Sequence, residues 1–134
     1  MSVRPFLDTN MVAYALTDDA EKKTIAETLL LERPLISVQV CNELVNVCVR
    51  KLKYPRETAI AAVRMVMRLC EVLPMDIRDV EQAFQFSQRF GYSHWDALIL
   101  AVAVRQGCDT VFSEDMQHGQ AISDGLRIIN PFAK

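Results

Sequence analysis

The sequence predicts an open α/β fold, with a central parallel sheet of four to five short strands and helices packed on both faces. Two observations carry that expectation. Short apolar runs alternate along the chain with segments of helical periodicity, and parallel strands follow from such alternation because each pair needs a crossover connection. One helical segment, Ala97-Leu98-Ile99-Leu100-Ala101-Val102-Ala103-Val104, is apolar on every side, as expected of a helix enclosed in the middle of a domain. At 134 residues and 51% hydrophobic, the chain is sized for one compact domain over residues 1–134 and is too short for two ordinary ones.

Pro5-Phe6-Leu7 reads as a short buried strand, and Asp8-Thr9-Asn10 as its polar end, turning into a helix near Met11. Asp18 or Asp19 offers the N-cap of a second helix, in which Ile25, Ala26, Leu29 and Leu30 share one apolar face. Pro34 to Val38 is the second strand, followed by a helix from Val40 to Lys53. Pro55 sits where proline is tolerated, at the start of a helix from Arg56 to Cys70. Val72-Leu73-Pro74 gives a third strand, and the helix from Asp76 to Arg89 ends at Gly91. Ser93 caps the apolar helix, which stops at Gly107. Thr110-Val111-Phe112 is the fourth strand and Leu126-Arg127-Ile128-Ile129 the fifth.

Composition narrows the function. No apolar run approaches the roughly 20 residues of a membrane span, and Met1 to Phe6 lacks the pattern of a signal peptide; a cytoplasmic protein without membrane attachment is expected. Cys41, Cys48, Cys70 and Cys108 are scattered and read as buried free thiols rather than as a zinc or redox pair. With only two histidines, any metal site must lean on carboxylates. The formal charge of −2 argues against a uniformly basic nucleic-acid surface. A local basic patch remains in Arg50-Lys51-Leu52-Lys53-Tyr54-Pro55-Arg56, with Arg64 and Arg68 on the next helix.

In an open parallel sheet, ligands gather beyond the carboxyl ends of the strands, where the strand order reverses. Asp8 and Asp115 each follow a predicted strand, and Glu43 and Asp96 lie near the starts of two helices facing the same rim. Each has an ordinary alternative: Asp8 can cap the helix after it, Asp96 completes a capping-box spacing with Ser93, and Asp115 fits a solvated loop. Glu43 and Asp96 lack cationic partners three or four residues ahead on their helices. An ionised carboxylate on an apolar helix costs several kcal/mol to desolvate unless it is paired. A hard divalent cation would pair with such a cluster and favour its charged forms. Mg²⁺ or Mn²⁺ held by four carboxylates suits phosphodiester hydrolysis by a metal-activated water.

Phe6-Leu7-Asp8-Thr9-Asn10, Val40-Cys41-Asn42-Glu43-Leu44, Ser93-His94-Trp95-Asp96-Ala97 and Ser113-Glu114-Asp115-Met116-Gln117-His118-Gly119 resemble, in order and spacing, the four acid motifs of the PIN-domain family. The length and the fourth motif are most similar to the toxin of VapBC-type toxin–antitoxin systems. That resemblance implies a PIN-like three-layer α/β/α sandwich and an endoribonuclease dependent on Mg²⁺ or Mn²⁺. It further implies action on tRNA or rRNA, assembly as a homodimer and silencing by a cognate antitoxin protein. Carried over to matching positions, Asp8, Glu43, Asp96 and Asp115 become the metal-binding acids, and Asn10 and Ser113 become polar supports. Glu114 is placed to share the role of Asp115.

Two other enzyme classes fit less well. Phosphoaspartate hydrolases of the haloacid-dehalogenase type resemble Asp-x-Asp, where this chain has Asn10. Receiver domains need a lysine after a late strand, and none occurs between Lys53 and Lys134. A PIN-like module that binds RNA or protein without cutting is the non-enzymatic alternative.

Overall fold

Six strands form one sheet in a computed structural model that describes residues 4–123 and 125–133. They are β1 (Phe6–Leu7), β2 (Leu35–Ser37), β3 (Glu71–Leu73), β4 (Thr110–Phe112), β5 (Ala121–Ser123) and β6 (Leu126–Ile129). Their order is β3-β2-β1-β4-β6-β5, and every neighbouring pair is parallel except β5 with β6. Six helices are present among the described residues: α1 (Thr9–Ala13), α2 (Ala20–Leu30), α3 (Val38–Arg50), α4 (Arg56–Leu69), α5 (Ile77–Phe90) and α6 (His94–Arg105). Met1 to Val3, part of the N-terminal stretch read above, lie outside the described residues.

Connections from β1 to β3 step one way across the sheet, and those from β3 through β4 to β6 step the other way. Right-handed crossovers in opposite directions place their helices on opposite faces, giving the expected α/β/α layers. The packing partners agree: α1 meets α3, α3 meets α4, and α5 meets α6. The core lies on both sides of the strands, with Phe6, Ile36, Val111 and Ile128 fully buried. Every residue of α6 from Ala97 to Ala103 is buried, as its all-round apolar sequence predicts. The four cysteines are buried free thiols. No helix among the described residues is long and apolar enough to cross a membrane.

Several boundaries shift for identifiable reasons. α1 starts at Thr9 rather than near Met11, because Asp8 is its N-cap and its carboxylate accepts the Thr9 N–H. Asp19, not Asp18, caps α2 by accepting from Lys22 N–H. β2 ends at Ser37 and α3 begins at Val38, two residues before the expected start. The Ser37 hydroxyl accepts from Val40 N–H and turns a run of β-branched residues into a helix. At its other end α3 stops at Arg50, because Lys53 takes a left-handed φ of 61° and Tyr54 N–H bonds back to Cys48. β5 is a strand absent from the sequence reading. Only Ile122 of its three residues is buried, so its alternation is too short to stand out from the loop.

One ion pair ties the sheet's far connection to α6. Asp79, 1% exposed, closes a capping box with Asp76 and receives both Nε and Nη2 of Arg105, at 2.7 and 2.9 Å. Removing one partner of such a pair strands a buried charge. Arg105→Ala is therefore expected to destabilise the fold by about 2 kcal/mol, below the usual range for a fully buried pair because the guanidinium edge is partly exposed. Urea unfolding measures this, and an unchanged midpoint would show the pair to be dispensable.

Candidate active site

The switch point of the sheet lies between β1 and β4. Strand register pairs Leu7 with Phe112, so Asp8 and Ser113 leave their strands side by side. Asp8 N–H donates to the Phe112 carbonyl at 3.0 Å, and the Ser113 hydroxyl donates to Asp8 Oδ2 at 2.8 Å. Thr9 N–H donates to Asp8 Oδ1 at 2.7 Å. The helix cap and the acid that the sequence puts forward as a site residue are thus the same carboxylate. Ser113 Oγ also accepts from Met116 N–H at 3.2 Å, which turns the chain immediately after β4.

The remaining acids approach from α3, α6 and that turn. Asn10 of α1 donates through its amide to Asp115 Oδ2. Thr9 Oγ1 donates to Glu43 Oε2 at 3.2 Å, while Gln39, one turn earlier on α3, donates to Glu43 Oε1. The same Gln39 Nε2 reaches the carbonyl of Trp95 at 3.1 Å, fastening the start of α6 to α3. Asp96 lies in the first turn of α6, whose cap Ser93 accepts from Asp96 N–H. Asp8, Thr9, Gln39 and Ser113 are among the few buried polar residues of the molecule, so polar burial concentrates here.

The electrostatics are those of a cluster short of positive charge. Burial pushes the Asp8 carboxyl up to about 7, and the nearby charges of Asp96 and Asp115 add to the rise, against the hydrogen bonds from Ser113 and Thr9. Asp96 is also raised, first by burial and then by Asp115 and Glu43. The ion pairs among the described residues involve other acids: Glu71, Glu114, Asp76 and Asp79. Asp8, Glu43, Asp96 and Asp115 have none.

Glu114 stands apart from this set. Its carboxylate receives the Tyr14 hydroxyl and Lys22 Nζ, the latter at 2.6 Å, and these contacts hold it below its ordinary pKa. Lys22 also lies over the rings of Tyr14 and Phe132, at 4.7 and 5.1 Å from their centroids. The expectation that Glu114 shares the role of Asp115 thus meets a side chain already engaged. Thr9 and Gln39 are the supports that sequence reasoning missed. The i−4 spacing of Gln39 from Glu43 was the available signal.

Among the described residues no three or more His, Cys, Asp or Glu side chains are grouped so as to hold a metal ion. The four acids share one electrostatic neighbourhood, felt in the raised pKa of Asp8 and Asp96. An oxygen-only, unneutralised donor set of this kind suits a hard cation such as Mg²⁺, which uses one or two carboxylates and keeps several waters. Two cavities flank the acids. One of about 610 Å³ is bordered by Glu43 and Trp95, and one of about 340 Å³ by Asn10, Asp115 and Lys51.

An α/β protein with carboxylates gathered at the switch point of a mostly parallel sheet is a class with many functions; comparison with known proteins narrows it. The model of the PIN domain family matches residues 6–121, and the chain belongs to that family. No curated protein sequence matches it. Among solved structures it resembles VapC20 of Mycobacterium tuberculosis, described as a Sarcin-Ricin loop cleaving toxin. The two are 26% identical over 83% of this chain and 91% of the other, with a TM-score of 0.68. DNA-bound VapBC from Salmonella typhimurium is similar at 23% identity, over 95% of this chain and 97% of the other, with a TM-score of 0.71. FitAcB from Neisseria gonorrhoeae is similar at 19%, over 96% and 98%, with a TM-score of 0.69. The last two likenesses concern the fold alone.

The raised carboxyl of Asp8 makes a pH-dependent prediction for the protein in EDTA. Between its unfolded value near 3.8 and its folded value of about 7, the folded state binds more protons than the unfolded one. Stability therefore falls as pH rises through that window and stays low above it. Asp8→Asn removes the penalty and is expected to stabilise the protein by about 2 kcal/mol at pH 8, roughly half the linkage ceiling. The amide's poorer match to the Ser113 hydroxyl accounts for the remainder. At pH 4 the gain should vanish, and thermal melts of both proteins at the two pH values decide it.

Proposed function

We propose that this chain is a divalent-metal-dependent endoribonuclease, the toxin of a toxin–antitoxin pair, acting in the cytoplasm on tRNA or rRNA. The observation that carries the reading is that Asp8, at the end of β1 beside β4, lies in one electrostatic neighbourhood with Asp96, Asp115 and Glu43, and that none of the four has an ion-pair partner among the described residues. Membership of the PIN domain family supports it, as does the likeness to a toxin described as cleaving the Sarcin-Ricin loop.

In this reading the residues divide the work. Asp8, Asp96, Asp115 and Glu43 would hold Mg²⁺ or Mn²⁺. When bound, the cation supplies Lewis-acid polarisation of the phosphate and eases deprotonation of the attacking water. Ser113 and Thr9 fix Asp8, Asn10 fixes Asp115, and Gln39 with Thr9 fixes Glu43. Asp8, Asp115 and Glu43 then present their free lone pairs without a rotamer search, Asp96 being placed by the first turn of α6, and such pre-organisation is what makes a charged site effective. Lys51, from the basic run after α3, borders the cavity beside Asp115 and is placed to meet an RNA phosphate.

Two protein partners belong to the same reading: a second copy of the chain and the cognate antitoxin. Val38, Ile60 and Met67 are exposed apolar side chains that line one shared depression between α3 and α4, and a contiguous exposed apolar surface is typical of an interaction face.

Incubation of structured bacterial RNA with the purified protein should yield discrete fragments with Mg²⁺ or Mn²⁺, and none with EDTA or with Asp96→Asn. Intact RNA in every lane, from folded protein free of inhibitor, would instead indicate a binding module that does not cut. Lys51→Ala should reduce RNA affinity several-fold and lower the salt dependence of binding by about one phosphate contact. An unaltered salt slope in a filter-binding titration would remove Lys51 from the interface.

A further inference from the structure

The cavity of about 610 Å³ between the first turns of α3 and the start of α6 reaches beyond the acids and has a chemistry of its own. Trp95, 63% exposed and the chain's only tryptophan, stands at its edge, immediately before Asp96. Large aromatic side chains are seldom left in water without a use. Its ring meets that of His94 edge-on at 5.7 Å, and His94 in turn lies tilted against Phe84 at 5.4 Å, so Trp95 is braced by neighbouring rings.

The second feature is Gln39, 8% exposed, on the cavity wall. Its Nε2 is used twice, on Glu43 and on the Trp95 carbonyl, but its Oε1 is shielded from solvent and has no hydrogen-bond partner. A buried acceptor left without a donor is destabilising, and such exceptions in a packed structure call for an explanation. Asn42 and Asn46, one helical turn apart and both exposed, add amides that donate and accept along the same wall.

We propose that this cavity is a subsite for one unpaired nucleobase of the RNA, stacked on Trp95 and contacted along its edge by Gln39, Asn42 and Asn46. The proposal rests on the acids being an RNA-cleaving centre. A nucleobase combines the two things the walls call for: a flat π-face for the indole and an edge N–H for Gln39 Oε1, reached by a small adjustment of the amide. An apolar side chain of a partner protein could cover Trp95 but would leave Gln39 Oε1 without a donor, which favours the base. Pairing in a duplex covers both faces and engages the edge, so the subsite takes a base that is splayed out of a helix. With Glu43 on the same wall, a base held there brings its own stretch of sugar–phosphate backbone to the acids.

Because Trp95 is the only tryptophan, intrinsic fluorescence reads the subsite directly. A short single-stranded RNA added in EDTA should quench it saturably, and the same strand made abasic, or annealed into a duplex, should not. Trp95→Ala should weaken binding of the single strand about tenfold, with Trp95→Phe retaining most of the affinity and neither variant changing the melting temperature. In the cleavage assay Trp95→Ala should raise KM more than it lowers kcat. Equal quenching by the abasic strand, or none by any RNA, overturns the subsite. A response to added partner protein alone, with RNA silent, does the same and assigns the cavity to protein docking. If the single strand quenches and binds as expected but is never cut in the presence of metal, the cleavage reading fails and the base subsite stands.

Discussion

Unbalanced negative charge at the carboxyl ends of β1 and β4 is the constraint on which the rest of this structure turns. Asp8 is almost fully buried, and its neighbours Asp96 and Asp115 raise its pKa further rather than relieve it. A folded chain retains such an arrangement only if its surroundings fix the carboxylates more firmly than mutual repulsion can disperse them. The fixing groups are neutral hydrogen-bond donors: Ser113, Thr9, Asn10 and Gln39. A lysine or arginine in their place would satisfy the charge internally. That contrast is visible next door, where Lys22 is ion-paired with Glu114.

The scaffold around the cluster is stiff for reasons unconnected with charge. β1 and β4 are short but each has a parallel neighbour on both sides, and α6, which carries Asp96 in its first turn, is buried from Ala97 to Ala103. The distal end of α6 is anchored by the Arg105–Asp79 pair, and its proximal end by the Gln39 bond to Trp95. Asp96 is therefore placed by a helix with little freedom to slide. Asp115, by contrast, sits in a turn and depends on local contacts, namely the Ser113 cap, the Asn10 amide and the Glu114 contacts beside it.

Much of this was legible along the chain. The strand–helix alternation, the buried character of α6 and the positions of β1, β4 and β6 follow from apolar periodicity, which is a local property of consecutive residues. The start of α3 was misplaced because Val38-Gln39-Val40 has strand-like propensity. One buried hydroxyl, Ser37, overrides it by satisfying a helix N–H. β5 escaped notice because a three-residue edge strand with one buried side chain carries almost no periodic signal.

What the sequence determined by itself is the inventory: four acids in PIN-like motifs, each near a predicted strand end or helix start, and a fold class in which such ends face one rim. What only the tertiary structure decided is which side chains meet across large gaps in the chain. The β1–β4 register sets Ser113 against Asp8, α3 brings Gln39 to both Glu43 and Trp95, and packing of α2 against the fourth motif sends Glu114 to Lys22. Propensity and periodicity report the few residues on either side of a position, whereas desolvation and hydrogen-bond pairing depend on whatever the fold places in contact. The pairing of each acid, and the raised pKa of Asp8 and Asp96, therefore exist only in three dimensions.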